Sequence, residues 1–213
     1  MEEGPENRRA TITSPGARMP VGAVSRNVSE PRVPADGVRP FLKWAGGKRQ
    51  LLAEIRHFYP SSLGRYWEPF LGSGAVFFDL WNRGFLDGKP AFLIDNNADL
   101  VGCYQAIRND VESVISGLES LQKCHSRNER KTFYDVRRRF NTKRLSLLDG
   151  TNAAYDPELA SMLIYLNRTG FNGLFRLNSR GSFNVPLGRY SNPHICDAQN
   201  LRAVSCVLKT DGV

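Results

Sequence analysis

Arg65-Tyr66-Trp67-Glu68-Pro69-Phe70-Leu71-Gly72-Ser73-Gly74-Ala75-Val76-Phe77-Phe78-Asp79-Leu80-Trp81 is the stretch on which the fold turns. A short aromatic run ends in Pro69-Phe70, two glycines follow at once, and an apolar helical stretch then runs from Ala75 to Trp81. That order reads as strand, glycine turn, helix. Ala91 to Ile94 is a second apolar run, stopped by Asp95, Asn96 and Asn97, and Ala98 to Ile107 is helical again. Two strands alternating with helices predict a βαβ unit with a parallel sheet, hence an α/β fold.

The same stretch carries chemistry. Glycines behind a first strand let a ligand approach the main chain closely, and a carboxylate ending the next strand can accept both hydroxyls of a ribose. Asp95, which follows Gly74 by 21 residues, is that carboxylate. NAD and S-adenosylmethionine share the geometry, but the third glycine of a dinucleotide fingerprint would fall at position 77, which is Phe. The choice tilts toward S-adenosylmethionine. The competing structural reading is an ordinary strand-to-helix turn, with Asp95 capping the helix after it.

Upstream, Phe41-Leu42-Lys43-Trp44-Ala45-Gly46-Gly47-Lys48 precedes a helix expected over 48–58, with Leu51, Leu52, Ile55 and Phe58 at helical spacing. Two glycines at a helix start, with Lys48 beside them, attract carboxylate or phosphate. A phosphate-binding P-loop is excluded, because position 42 is Leu and Arg49 stands where Ser or Thr must hold magnesium. Trp44 is either a platform for a flat ring or a core residue.

Downstream of residue 110 the strand signal stops. Val111 to Leu121 and Lys131 to Phe140 read as helices, and Asp156-Pro157 reads as the cap and first residue of a helix reaching Tyr165 or Leu166. Phe171 to Tyr190 interleaves Phe, Leu and Val with Asn and Arg around Asn178-Ser179-Arg180-Gly181, predicting a β-hairpin or an extended loop pair. Asp197 is expected to cap a last helix through Val207. Residues 122–190 hold 13 basic and 5 acidic side chains, whereas 1–38, 39–121 and 191–213 are each balanced, so the net charge of +8 lies wholly there. Clustered Lys and Arg point to a polyanion, or else to a solvated basic face. From Asn167 to Tyr190 stand four arginines and no acid. Arg and Asn read guanine and adenine edges, and Leu or Pro can sense a thymine methyl.

At 213 residues and 41% hydrophobic side chains the chain is long enough for one domain, or one domain with an appendage, and is neither fibrous nor wholly disordered. Residues 1–38, rich in Pro, Gly, Ser and Arg, are expected to form a disordered leader. No apolar run is long enough for a spanning helix, and the charged N-terminus carries no hydrophobic segment, so a cytoplasmic location is expected, with no membrane partner. Cys103, Cys124, Cys196 and Cys206 form no C-x-x-C pair; free thiols and no metal are expected.

Taken together, F-L-K-W-A-G-G-K, E-P-F-L-G-S-G and F-N-G-L-F-R-L-N with G-S-F-N-V-P-L-G-R-Y resemble the Dam-type, D12 class, N6-adenine-specific DNA methyltransferases. The likeness runs from residue 39 to about residue 208. It implies an enzyme that moves a methyl group from S-adenosylmethionine to adenine N6 in double-stranded DNA. The implied fold is part of a Rossmann-like methyltransferase sheet with a helical recognition subdomain and a β-hairpin: a cofactor part over 39–109, recognition over 110–190, and the start of a return to the catalytic domain over 191–213. By the same likeness Trp44, Lys48, Glu68, Phe70, Gly72, Gly74 and Asp95 would hold the cofactor. Lys43, Phe171, Asn172, Leu174, Arg176, Asn178, Asn184, Pro186, Arg189 and Tyr190 would meet DNA, with GATC the first candidate site and a restriction-linked or solitary role left open.

The family also carries an Asp-Pro-Pro-Tyr tetrad that orients the target amino group. Asn192-Pro193-His194-Ile195 lacks its second proline and aromatic, and Tyr155-Asp156-Pro157-Glu158 fails likewise and precedes the hairpin. No catalytic residue is therefore assigned, and these residues alone are expected to turn over little. The expectation is a truncated or frameshifted gene, an incomplete sequence, or one half of a split enzyme completed by a second chain. A non-catalytic DNA-binding module is the alternative from another class. The first two strands would then expose an edge and apolar surface.

Overall fold

The computed structural model describes residues 37–148 and 154–213. Residues 1–36, which hold nearly all of the expected leader, lie outside the described residues. Val38 is already in the core, and its main chain exchanges two hydrogen bonds with the Asn82 side chain.

β1 (Tyr66–Glu68) and β2 (Ala91–Leu93) form a two-stranded parallel sheet, with Trp67 opposite Phe92. Between them runs α2 (Ala75–Asn82), so the expected βαβ unit is present. Gly74 starts α2 at φ +68°, where a side chain would strike the Tyr104 hydroxyl and the Phe78 ring. The helix then buries Phe77, Phe78 and Leu80.

Residues 48–58 depart from one amphipathic helix. They form a 3₁₀ turn at Lys48–Leu51, a single α turn α1 (Leu52–Ile55) and a second 3₁₀ turn at Arg56–Phe58. Leu51 and Phe58 are 53% and 85% exposed, so the apolar stripe does not anchor the segment. Polar contacts to α2 do: Arg56 pairs bidentately with the buried Asp79, and the Tyr59 hydroxyl donates to the same carboxylate at 3.0 Å.

Beyond the sheet the molecule is helical. α3 (Ala98–Arg127) takes the place of the two helices expected there. It is kinked at Asp110, whose carboxylate accepts from Ser113 N at 3.1 Å and so starts the second half as a cap would. α4 (Glu129–Leu148) follows, then α5 (Pro157–Thr169), capped by Asp156, and α6 (Ala198–Leu208), capped by Asp197. α5 packs against both α3 and α4, which explains why it is buried almost all round.

Residues 171–190 form the extended loop pair rather than a laddered hairpin. Only single bridges join Gly170 to Leu187 and Leu177 to Phe183. Pro186 has no amide to give a ladder, and Asn172 takes a left-handed conformation at φ 52°. All four cysteines are free.

Candidate functional site

One cavity of about 260 Å³ lies at the carboxyl ends of the two strands. Trp44, Gly46, Gly47 and Lys48 line it from one segment, Glu68, Phe70 and Gly72 from the second, and Asp95 from the third. Gly74 stands immediately behind, as the N-cap of α2. The 41–48 segment, the Glu68–Gly74 turn and Asp95 are therefore neighbours in space.

Backbone turns shape this cavity. Gly47 N donates to Trp44 O at 2.9 Å, closing a turn that presses the main chain against the buried Ser73; a side chain at Gly47 would meet both Trp44 O and Ser73 Oγ. Asp95 accepts from Gly72 N with one oxygen and from Asn97 N with the other, each at 2.9 Å. The helix cap that the simpler reading gave to Asp95 belongs to Asn97, which accepts from Leu100 N. Each Asp95 oxygen keeps acceptor capacity toward the cavity.

Glu68 sits where β1 gives way to the α2 turn. Its carboxylate accepts from Tyr66 Oη at 2.8 Å and from Phe77 N at 3.2 Å, which ties the strand to the first turn of α2. Burial is the larger effect, and it pushes the carboxyl up to about 7 against those hydrogen bonds and the nearby Lys48. Lys48 Nζ itself donates to Gly46 O, bracing the glycine turn. Phe70 is largely exposed at the rim.

Trp44 borders the cavity and also stacks on Phe175 of the loop pair, with centroids 5.4 Å apart and planes 24° from parallel. A second tie runs through Asn167, 1% exposed at the end of α5. Its side chain accepts from Lys43 N at 2.8 Å and donates to Lys43 O and to Gly173 O. The cavity segment and the loop are thus held together by one buried amide. Sequence reasoning did not single out Asn167 or Phe175 for this; an amide side chain directly after the run Met162-Leu163-Ile164-Tyr165-Leu166 was the available signal.

On the loop, Phe171 and Asn172 are exposed at the turn, and Pro186, whose carbonyl accepts from Phe171 N, is exposed opposite them. Leu174 is partly buried. Arg176 Nε donates to Asn184 Oδ1 at 2.8 Å, so these two predicted readers meet across the loop pair. Asn178 is occupied differently: its side-chain oxygen accepts from Arg180 N and Ser182 N and shapes the tip. Lys43 lies over the Tyr190 ring, and both border a second cavity of about 370 Å³ with Arg168, Arg189 and residues 191–194. Arg168 Nε donates to Phe41 O, and burial lowers its basicity.

Among the described residues, no group of three or more His, Cys, Asp or Glu is placed to hold a metal ion, and no helix is long and apolar enough to cross a membrane.

Residues 44–213 match the family model described as D12 class N6 adenine-specific DNA methyltransferase. The chain is 40% identical over 181 residues to the type II methyltransferase M.MjaIII of Methanocaldococcus jannaschii, covering 81% of this chain and 60% of that protein. It is 38% identical over 153 residues to the DNA adenine methylase of Haemophilus influenzae, covering 71% and 48%. With the DNA adenine methylase of Escherichia coli K12 the figures are 35% over 162 residues, 76% and 51%. The chain spans about half the length of these relatives.

Proposed function

From the premise that this chain belongs to the D12 class of N6 adenine-specific DNA methyltransferases, we propose that it binds S-adenosylmethionine in the Trp44–Asp95 cavity and presents its loop pair to duplex DNA, in the service of methyl transfer to adenine N6. On this reading the two strands belong to a Rossmann-like methyltransferase sheet. Residues 39–109 form its cofactor part, 110–190 the recognition subdomain, and 191–213 begin the return.

The carrying observation is that Trp44, Gly72 and Asp95 share one cavity whose first segment is bound to the loop through Asn167. The cavity suits a nucleoside. Its glycine turns expose main chain, Asp95 keeps acceptor capacity for two ribose hydroxyls, and Trp44 offers part of an aromatic wall. When bound, S-adenosylmethionine supplies an activated methyl group on a sulfonium sulfur.

The chain's own residues then divide the work. Asp95 orients the ribose, the Gly46–Lys48 and Gly72–Gly74 turns bring main chain to the ligand, and Glu68 fixes the strand-to-helix turn beneath it. Phe171 and Asn172 project from the loop as the part able to enter the duplex, while Lys43, Leu174, Arg176 and Pro186 face base edges and Arg189 the backbone. Asn178 and Asn184 act by shaping the loop and holding Arg176, and Tyr190 by seating Lys43. Orienting the adenine amino group for in-line attack is a separate requirement. No residue of these 213 matches the Asp-Pro-Pro-Tyr tetrad, and that step is assigned to none of them.

Calorimetric titration of the purified chain with S-adenosylmethionine, with NAD as the competing cofactor, tests the proposal. Saturable binding of S-adenosylmethionine alone is expected. No binding, or preference for NAD, would overturn it.

A further inference from the structure

The return limb of the loop pair has a partner that no strand supplies. Arg137, Asn141 and Arg144 lie four and three positions apart on α4, hence on one helix face. Each bonds the main chain of an alternate residue of the limb. Arg144 Nη1 donates to Gly181 O at 2.6 Å, Asn141 Nδ2 donates to Phe183 O at 3.0 Å while its oxygen accepts from Phe183 N at 2.7 Å, and Arg137 Nη1 donates to Val185 O at 3.1 Å. An extended limb shows every second carbonyl on one edge, and this helix face meets that edge as a neighbouring strand would.

Arg144 reaches further. Its Nε donates at 2.6 Å to Asp99, and both side chains are buried. Asp99 lies in the first turn of α3, four residues after Asp95. One buried guanidinium thus joins the tip of the loop to the helix that leaves the cofactor cavity.

We propose that Arg144 and Asn141 are positioning residues for sequence reading: they fix the height and register of the Arg176–Asn184 pair over the bases, and Arg144 links that register to the cavity side of the molecule. The inference rests on the reading of the loop as the DNA-meeting element. A burial role alone would predict loss of stability and nothing else. The positioning role predicts loss of discrimination while the fold survives.

Arg144→Lys separates the two roles, since a lysine keeps a cation for Asp99 but has no second arm for Gly181 O. Two quantities are read on the purified full chain: amide exchange across 178–185, and affinity for duplexes selected from a randomised library against unselected duplexes. The variant is expected to keep slow exchange in α3 and α5, to exchange loop amides roughly tenfold faster, and to lose roughly tenfold in the selected-to-unselected ratio. Affinity for unselected duplex should stay within about threefold. Unchanged loop exchange, or an unchanged ratio, would overturn the proposal. Should Arg144→Lys fail to fold, Asn141→Ser, which releases only Phe183, is held to the same criteria. Failure of the unsubstituted chain to bind any duplex would instead remove the DNA reading, and the exchange data would still decide whether the tether exists.

Discussion

Asp95 does two things with one carboxylate. It closes the turn by accepting from Gly72 N and Asn97 N, and as a cavity-lining carboxylate it retains acceptor capacity beyond those two bonds. Asp95→Ala is therefore expected to weaken S-adenosylmethionine binding at least tenfold, about 1.4 kcal/mol, while duplex affinity holds; calorimetry on both ligands checks this, and unaltered cofactor affinity would remove Asp95 from the site. The acid was legible in sequence because it ends a short apolar run. Its two amide partners were not, since they depend on how the turns fold back. Glu68 makes the same point. The family resemblance implied a place for it in the cofactor site, whereas its bond to Phe77 N at the start of α2 needed the structure. The folded protein keeps the Glu68 proton up to about 7, and the unfolded chain loses it near the ordinary 4.5. Stability from this group is complete below the unfolded value and is lost as pH rises through about 7. The rise corresponds to roughly 3 kcal/mol at full effect. Solvent screening of the partly buried carboxyl reduces it, so relative to Glu68→Gln the native chain should lose on the order of 1 to 2 kcal/mol across that window, read as a fall in thermal midpoint. Parallel midpoint profiles for the two proteins would contradict the raised Glu68 carboxyl.

Whole elements follow the apolar pattern where burial decides them and depart from it where polar contacts do. α2, α5 and α6 match their sequence signals because their caps and buried faces agree. The break expected between residues 107 and 111 survives only as a kink, because Asp110 caps the second half without interrupting the helix. Residues 48–58 show the opposite outcome, with an apolar spacing that is left exposed and an anchor at Asp79 that spacing could not reveal. The loop pair is joined by single bridges across its inner edge, while α4 satisfies the outer edge of its return limb. Its inner attachment is Asn167. Asn167→Ala leaves Lys43 N, Lys43 O and Gly173 O without their partner, so a loss of roughly 2 to 5 kcal/mol is expected in denaturant unfolding. A loss below about 1 kcal/mol would show that these main-chain groups find water or other partners. Phe175→Ala touches the same junction through Trp44, and is expected to change the cofactor affinity of a protein whose stability falls only modestly.

At the scale of the molecule, charge is less available than its count suggests. Of the basic residues in 122–190, Arg139 and Lys143 pair with Glu158, Arg144 with Asp99, and Arg137 and Arg168 bond main-chain carbonyls. Composition located the excess, but only the folded contacts of α4 and α5 with α3, the loop and the 41–48 segment show which cations are committed. Arg189 is exposed, while Arg176 is held in place by Asn184. Arg189→Ala should lower affinity for every duplex and reduce the salt slope by about 1, whereas Arg176→Ala should cost roughly 1 to 3 kcal/mol of discrimination at one base pair. Equal losses on all duplexes from both changes would contradict this division. The exposed apolar surface expected around the first two strands is present: Trp67 and Phe92 are stacked on each other and exposed, and Phe70 is exposed at the cavity rim. Most direct of all is amide exchange on the purified chain with S-adenosylhomocysteine and duplex DNA added separately. Two footprints are expected: the cofactor analogue protects the Gly46–Lys48, Gly72–Gly74 and Asp95–Asn97 segments, and the duplex protects Phe171–Asn178 and Ser182–Tyr190. Protection by the analogue that falls outside those three segments, or a duplex footprint that leaves the loop pair untouched, would contradict it.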